Sequence, residues 1–218
     1  MEVNESKTSK ILRFEALRVQ LADATPSTAS METMAIGLPV IDERVGGLFR
    51  GAINEFSGPP ASGALFLGAL LEQALHGGTH LAFVDAADSF EPSQWAPALL
   101  RRMLWVRCHS TKEAIRSVDL LLRDGNLAVV VLDLQASSET SLRQVPGSTW
   151  HRFARTVEAS GTVLVVLSVR PTAEGVRLRI TDEHDWPFES LQEPRRELRS
   201  SLRLSIRERG THAQKRFA

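Results

Sequence analysis

Apolar runs alternate with amphipathic stretches along most of the chain. Residues 52–57, 81–85, 127–133 and 161–167 each contain a short apolar run that predicts a strand. The last two runs are continuously apolar, as in strands buried on both faces of a parallel sheet. Between the strands, apolar residues recur every three or four positions and predict helices. This alternation predicts an α/β fold with right-handed crossovers and three layers.

Four helices are predicted in this region by their apolar stripes. A glycine pair at 77–78 ends the first helix, and Ser110 with Glu113 forms a capping-box signature at the start of the third. Gly125 follows the last apolar position of that third helix, which makes it the best-defined element in the chain. The stripes occupy residues 65–75, 95–103, 114–122 and 150–157.

Two segments near the carboxyl end alternate strictly between apolar and polar residues. Residues 176–180 and 202–207 show a period of two, which predicts half-exposed strands. We expect these strands to close a mostly parallel central sheet as antiparallel strands with basic outer faces. The predicted architecture is therefore a three-layer sandwich with an antiparallel carboxyl-terminal end.

A further amphipathic helix is predicted close to the amino end of the chain. Its apolar stripe, which another surface must cover, consists of Ile11, Phe14, Leu17 and Leu21. Residues 22–36 are mostly small or polar and predict a linker. We therefore divide the chain into a helix with its linker (1–36), a core (37–210) and a basic tail (211–218).

Composition and charge narrow the range of functions. The 26 basic residues balance the 26 acidic ones, so global charge gives no reason to expect nonspecific binding to nucleic acid or membrane. The single cysteine, Cys108, excludes an intramolecular disulfide and is expected to be a small buried side chain. The six histidines lack the spacing of metal ligands. No apolar stretch reaches the length of a membrane span, so we expect a cytoplasmic protein without a metal site.

A glycine-rich loop between the first predicted strand and helix carries the most specific chemical signal. Gly58 and Gly63 have the spacing of the phosphate-binding motif G-x-x-x-x-G-K-[ST], with Ser62 between them. In that motif, backbone N–H groups and the lysine hold phosphate, and the hydroxyl group ligates Mg²⁺. Here Ala64 and Leu65 replace the lysine and the hydroxyl residue. Losing both interactions costs about 3 to 6 kcal/mol, or roughly two to four decades of affinity.

A structural turn also explains the two glycines, but the sequence around them resembles the RecA family over residues 37–210. The matching segments include 37–48, 83–86, 112–123, 162–167 and 201–210. The resemblance implies a RecA-like P-loop fold in which Asp133 matches the Walker B carboxylate. Ala87 and Val169 stand where the family has a catalytic glutamate and a nucleotide-sensing glutamine. The resemblance therefore implies a protein with no catalytic residue, no enzyme activity and no cofactor, in which Asp133 caps a neighbouring turn.

Among shortened relatives of RecA, the chain is most similar to the ImuA family, accessory proteins of damage-induced translesion DNA synthesis. Residues 84–92 and 104–108 carry this resemblance, together with the small size and the decayed loop. It implies a role in the SOS response through contacts with RecA, the polymerase-like ImuB or a second copy of the chain. The segments that match the DNA-binding loops of RecA, 134–149 and 169–175, are short, which argues against recombinase activity.

Candidate partner surfaces follow from apolar residues. The stripe of the amino-terminal helix is the first candidate, because a leading helix docks on the neighbouring protomer in RecA. Trp186 and Phe188 lie among acidic residues and are the second candidate, as an exposed aromatic hook for a partner. Packing of these two aromatic side chains against the sheet edge is the alternative.

Two other functions stay open. A SulA-type cell-division inhibitor, which binds FtsZ, would also be a RecA-like domain without a working P-loop. A DNA-binding RecA paralogue with residual nucleotide binding is the other, because N–H groups at a helix start favour anions and the end of the chain is basic. The candidate DNA-binding residues are Arg195, Arg196, Arg199, Arg203, Arg207, Arg209, Lys215 and Arg216.

Overall fold

A computed structural model describes residues 32–209, apart from the side chains of Phe188 and Leu191. The strands in this part are β1 (Thr33–Met34), β2 (Leu48–Phe49), β3 (Ala52–Ser57), β4 (Leu81–Asp85), β5 (Met103–Arg107), β6 (Val129–Asp133), β7 (Val163–Ser168), β8 (Leu178–Asp182) and β9 (Leu204–Glu208). The helices are α1 (Pro39–Val45), α2 (Pro60–His76), α3 (Pro97–Leu100), α4 (Thr111–Asp124), α5 (Glu139–Arg143), α6 (Gly147–Ser160) and α7 (Arg195–Leu198). Short 3-10 turns cover Pro92–Gln94, Phe188–Gln192 and Arg199–Ser201.

Seven of the strands form one central sheet in the order β5-β4-β6-β7-β3-β8-β9. All neighbouring pairs in this sheet are parallel except β8 with β9. β1 and β2 form a separate antiparallel pair. The prediction of a mostly parallel α/β sheet is confirmed. Antiparallel pairing in the sheet is confined to β9, because β8 runs parallel to its inner neighbour β3.

Apolar side chains fill both sides of the sheet, which makes the fold a three-layer sandwich. One core lies under α1 and α2, where Ile41, Phe66 and Leu71 are fully buried. The other lies under α4 and α6, with Val118 and Phe153 at its centre. The strands β6 and β7 contribute side chains to both cores, and this double burial explains their continuously apolar sequences.

Local capping signals define α4 as predicted. Ser110 Oγ accepts a hydrogen bond from Glu113 N at 3.3 Å, and Glu113 Oε2 accepts one from His109 N at 2.9 Å. Gly125 ends the helix with a φ of 70°, a left-handed conformation that glycine adopts without steric cost. Each of these contacts involves neighbours in sequence, and the capping box was therefore readable from sequence.

The helix predicted over 95–103 is wrong. Trp95 follows a 3-10 turn, α3 lasts for four residues, and Met103 begins the edge strand β5. Trp95, Leu99, Met103 and Trp105 nevertheless all pack on the same apolar core. A short helix followed by a strand therefore has the same spacing of apolar residues as one longer helix.

The folded core begins earlier than predicted. β1 pairs with β2, and the side chain of Ile36 is fully buried against the core beneath α1 and α2. Residues 33–36 therefore belong to the folded part and not to a linker. The amino-terminal helix predicted around Ile11 and Leu21, and the basic tail 211–218, lie outside the described residues.

Candidate functional site

The glycine loop lies where the carboxyl ends of β3, β6 and β7 meet. β3 ends at Ser57, and α2 begins only three residues later at Pro60, with Pro59 as its amino-terminal cap. In open α/β sheets, ligand sites form at the carboxyl ends of neighbouring strands. The fold therefore places the loop, Asp133 and the segments after β6 and β7 around one candidate site.

The backbone N–H groups of the loop are largely engaged or missing. Pro59 and Pro60 have no N–H, and Ser62 N and Gly63 N both donate to Pro59 O, at 2.9 and 3.3 Å. Gly58 N donates to Ser168 O at 3.0 Å. A phosphate cradle requires several free N–H groups that converge on one point. This loop instead has the hydrogen bonds of an ordinary first helical turn.

The side chain of Gln135 lies across the loop. Its Nε2 is 3.5 Å from Gly58 O and 3.4 Å from Pro59 O, within reach of weak hydrogen bonds. A Cβ built on Gly63 would lie 2.1 Å from Gln135 Oε1, so a glycine is what allows the amide to approach this closely. The chain therefore covers the loop with its own amide group.

The loop is held from the other side by the carboxyl-terminal hairpin. Ser62 Oγ is buried, donates to Asp182 Oδ2 and accepts from Trp186 Nε1 at 2.7 Å. Asp182 Oδ1 also accepts from Arg203 N at 2.9 Å, which ties the residue before β9 to the same carboxylate. The Trp186 indole packs on the core and lies beside His184 at 4.3 Å between ring centroids. Its indole N–H thus points into the protein and not outward as a partner hook.

Ala64 and Leu65 are part of the apolar core. Leu65 is buried, and Ala64 is half-buried against the same cluster as α2. Neither side chain offers a donor to phosphate or an oxygen ligand to a metal ion. Among residues 32–209, no group of three or more His, Cys, Asp or Glu side chains is placed to hold a metal ion.

Two aspartates end the neighbouring strands β4 and β6. Asp85 accepts backbone hydrogen bonds from Ser89 N at 3.1 Å and Phe90 N at 2.8 Å, so it fixes the turn after β4. Asp133 Oδ1 accepts from Gln135 N at 2.9 Å, as a turn-capping aspartate would. Burial raises the pKa of Asp133 to about 6, and the nearby charge of Asp85 adds to the rise.

The positions matched to the catalytic glutamate and the sensor glutamine hold no such groups. Ala87 is exposed in the turn after β4, and Val169 is exposed at the end of β7. The next residue after Ala87, Asp88, accepts two hydrogen bonds of 2.7 Å from Arg107, which hold the pKa of its carboxyl below the usual range. Gln135 reaches the loop from the end of β6 instead. Sequence reasoning did not identify Gln135 as a site residue. The available signal was its position two residues after Asp133, at the end of a predicted strand.

The segments after β6 and β7 are held by ion pairs and hydrogen bonds. Glu55 is fully buried in β3 and accepts from Thr172 N at 2.6 Å, Ala173 N at 2.9 Å and Arg179 Nε at 2.7 Å. Arg170 lies 3.5 Å from Glu139 and links the two segments at the surface. The segment after β7 is therefore anchored on a buried carboxylate.

The candidate DNA-binding arginines separate into two groups. Arg199 donates to Glu72 at 2.6 and 2.9 Å with a side chain 10% exposed, and the Arg195 guanidinium stacks 4.4 Å from the ring centre of Trp95. These two therefore have structural contacts. The others in the described part are exposed: Arg196, Arg203, Arg207 and Arg209. Lys215 and Arg216 lie outside the described residues.

The structure describes only some of the candidate partner residues. The stripe of Ile11, Phe14, Leu17 and Leu21 lies outside the described residues, as does the side chain of Phe188.

Cys108 is buried, as expected, and burial raises the pKa of its thiol. Across residues 32–209, the helices fall short of the length and apolarity that a bilayer crossing requires.

Comparison with known proteins relates the chain to RecA, although no family model matches it. It is 32% identical to a mitochondrial DNA repair protein recA homolog of Dictyostelium discoideum over 51% of this chain and 26% of that protein. It is 32% identical to Protein RecA of Rhodospirillum centenum over 56% of this chain, and 34% identical to Protein RecA of Borrelia hermsii over 52%. These alignments span 34% and 33% of the two bacterial proteins. The chain thus covers about a third or less of these relatives. Together with the mostly parallel α/β sheet, they support a RecA-like fold.

Proposed function

We propose that the chain is a non-catalytic RecA-like accessory protein that acts through protein contacts in damage-induced translesion DNA synthesis. The observation that carries this proposal is the state of the phosphate loop. Its N–H groups are largely engaged or missing, Gln135 covers it, and apolar residues occupy the positions of the lysine and the hydroxyl residue. A protein that keeps the fold but covers its phosphate loop with its own side chain is suited to binding partners and not to ATP turnover.

The anchoring of the segment after β7 on Glu55 supports the same proposal. In a recombinase this segment must contact DNA, whereas here Glu55 and Arg179 fix it from beneath. The partial similarity to RecA and the ImuA-like segments 84–92 and 104–108 favour RecA, ImuB or a second copy as the partner. The first of these segments forms the turn after β4, and the second overlaps the edge strand β5.

Nucleotide binding tests the first half of the proposal. We expect calorimetry of the purified chain with Mg-ATP to give no binding at sub-millimolar nucleotide, with an active RecA protein as the positive control. The variant A64K/L65T restores the two motif residues. It should still not bind Mg-ATP, because the N–H groups of the loop remain largely engaged or missing. Tight binding of Mg-ATP by the unmodified chain would contradict the proposal.

Partner binding tests the second half independently. We expect pull-down of purified proteins to retain RecA or ImuB, and F14D should weaken self-association if the amino-terminal stripe carries it. L120D is the matched control, because it also places an aspartate at an apolar residue, and Leu120 is exposed on α4. Absence of binding to RecA, to ImuB and to the chain itself, with FtsZ polymerisation inhibited instead, would favour the division-inhibitor function.

A further inference from the structure

A cavity of about 380 Å³ opens beside the phosphate loop. It lies between α2 and the turn after β4, and the ends of β6 and β7 form its floor. Ala64 and Leu67 line one wall, Phe90 and Trp95 line another, and Asp133 lines the floor. The volume is within the range of small-molecule sites, which are mostly apolar with a few placed polar groups.

Asp133 brings to this cavity a carboxylate that has no ion-pair partner among residues 32–209. None of the ion pairs formed among residues 32–209 includes it, and its hydrogen bond from Gln135 N uses Oδ1. The motif lysine would have supplied a cation here, but Ala64 ends at its Cβ on the opposite wall. Asp133 is partly buried, so its carboxylate is less well solvated than in open water, and a cation that enters the cavity would relieve that cost.

The aromatic walls also favour a cation. The ring centre of Phe90 lies 5.6 Å from that of Trp95 and 5.1 Å from that of Phe83. These three aromatic side chains form part of the cavity lining. Arg195, which also lines the cavity, stacks its guanidinium 4.4 Å from the centre of the Trp95 ring, so this aromatic surface already binds one cation of the chain itself. Glu91, which also lines the cavity, adds a second carboxylate. Aromatic faces attract ammonium and guanidinium groups, and more strongly where water is excluded.

We propose that this cavity binds an organic cation, an alkylammonium or guanidinium group that pairs with Asp133 while its methylene groups pack on Leu67 and Phe90. The group is carried either by a small amine or by a lysine or arginine side chain of another protein. The site needs a single positive charge on a narrow apolar stem, which distinguishes it from a phosphate or metal site. This inference does not depend on the proposed accessory function.

Ligand binding to the full chain tests the inference directly. We expect n-butylammonium chloride, followed by ligand-observed NMR, to bind with a dissociation constant on the order of 1 mM. The matched neutral and anionic probes, n-butanol and butyrate, should bind at least about tenfold more weakly. Equal binding of n-butylammonium and n-butanol would overturn the inference, because the charge would then contribute nothing.

Substitution of the carboxylate supplies the second arm. D133N keeps the shape of the side chain and should weaken n-butylammonium binding by about tenfold or more. The control D124N removes an exposed carboxylate from the far face of the sheet and should leave binding unchanged. Unchanged binding by D133N, with circular dichroism showing an intact fold, would overturn the inference.

A cation supplied within the chain gives a further check. A64K should raise the melting temperature more than A64M, which adds a side chain of similar size without the charge. In the D133N background, A64K and A64M should give equal melting temperatures. A lysine that is no better than methionine with Asp133 present would contradict a cation site.

The source of the cation is distinguished by a final comparison. An N-acetylated, C-amidated Gly-Lys-Gly peptide presents the ammonium as a side chain, and its Gly-Met-Gly counterpart is the control. Binding of the lysine peptide in competition with n-butylammonium supports a basic side chain of a partner protein. Binding of n-butylammonium without the peptide supports a small amine, because the cavity mouth then excludes a polypeptide.

Discussion

Asp133 is a partly buried carboxyl with a raised pKa, and this makes stability depend on pH. Its pKa is raised to about 6 in the folded chain, so the ionised form is disfavoured there relative to the unfolded chain. The folded state therefore binds more protons than the unfolded state between about pH 4 and pH 6, and the contribution of this residue to stability falls as pH rises through that window. Above pH 6 the cost is on the order of 3 kcal/mol, since each pKa unit corresponds to about 1.4 kcal/mol.

We expect D133N to be more stable than the unmodified chain at pH 7.5, and the gain to be clearly smaller at pH 4.5. The amide cannot ionise, but its oxygen can still accept the hydrogen bond from Gln135 N. Chemical denaturation at the two pH values measures the difference. A stability gain that is the same at both values would show that the effect does not come from ionisation.

Ser62 is the second residue whose removal has a defined consequence. Its hydroxyl joins Asp182 to Trp186, so S62A leaves a buried indole N–H and a carboxylate oxygen each without one partner. We expect a loss of about 1 to 3 kcal/mol in the free energy of unfolding. S200A is the matched control, because that exposed hydroxyl bonds only to the neighbouring Glu197 O among the described contacts and should cost close to nothing.

At the scale of elements, the Glu55–Arg179 pair holds the segment after β7 against the sheet. E55A would leave Arg179 half-buried without its carboxylate and free two backbone N–H groups, at Thr172 and Ala173. We expect a destabilisation of about 3 kcal/mol, because breaking a buried pair costs more than the pair itself contributes. Hydrogen exchange should become faster over residues 169–176.

The double variant E55A/R179M separates charge from packing. With both charges removed, no unpaired guanidinium remains, and we expect part of the lost stability to return. The exposed pair Arg143–Glu139 is the surface comparison, and E139A should change stability by less than about 1 kcal/mol. A double variant that is as unstable as the sum of the two single variants would show that the pair does not couple.

At the scale of the whole molecule, neutral net charge conceals an uneven distribution. Arg203, Arg207 and Arg209 are exposed on or beside the edge strand β9, and none takes part in the ion pairs among residues 32–209. If this edge contacts single-stranded DNA, R207A/R209A should reduce the salt slope of binding by about 1.4, or roughly 0.7 for each phosphate contact. R123A, an exposed arginine on α4, should leave the slope unchanged. Equal slopes for all proteins would exclude this edge as the contact.

The order of elements was readable from the sequence because it depends on neighbours in the chain. The continuous run of 127–133 predicted the buried strand β6, and the signals at Ser110 and Gly125 predicted the ends of α4. The prediction failed at 95–103, where apolar spacing describes burial but not backbone conformation. A 3-10 turn, a short helix and a strand that face one core share the spacing of a single helix.

The sequence by itself determined the α/β class, the position of the glycine loop and the absence of lysine and hydroxyl from its motif. Only the tertiary structure decided what fills the space in front of that loop. Gln135, Asp182 and Trp186 reach it from strand ends and a hairpin as many as 124 positions away from Ser62. Such contacts follow from the pairing of β3 with β7 and β8, and long-range pairing leaves no periodic trace in sequence. The loss of a motif is a local fact, whereas its replacement by the side chains of the protein itself is a property of the fold.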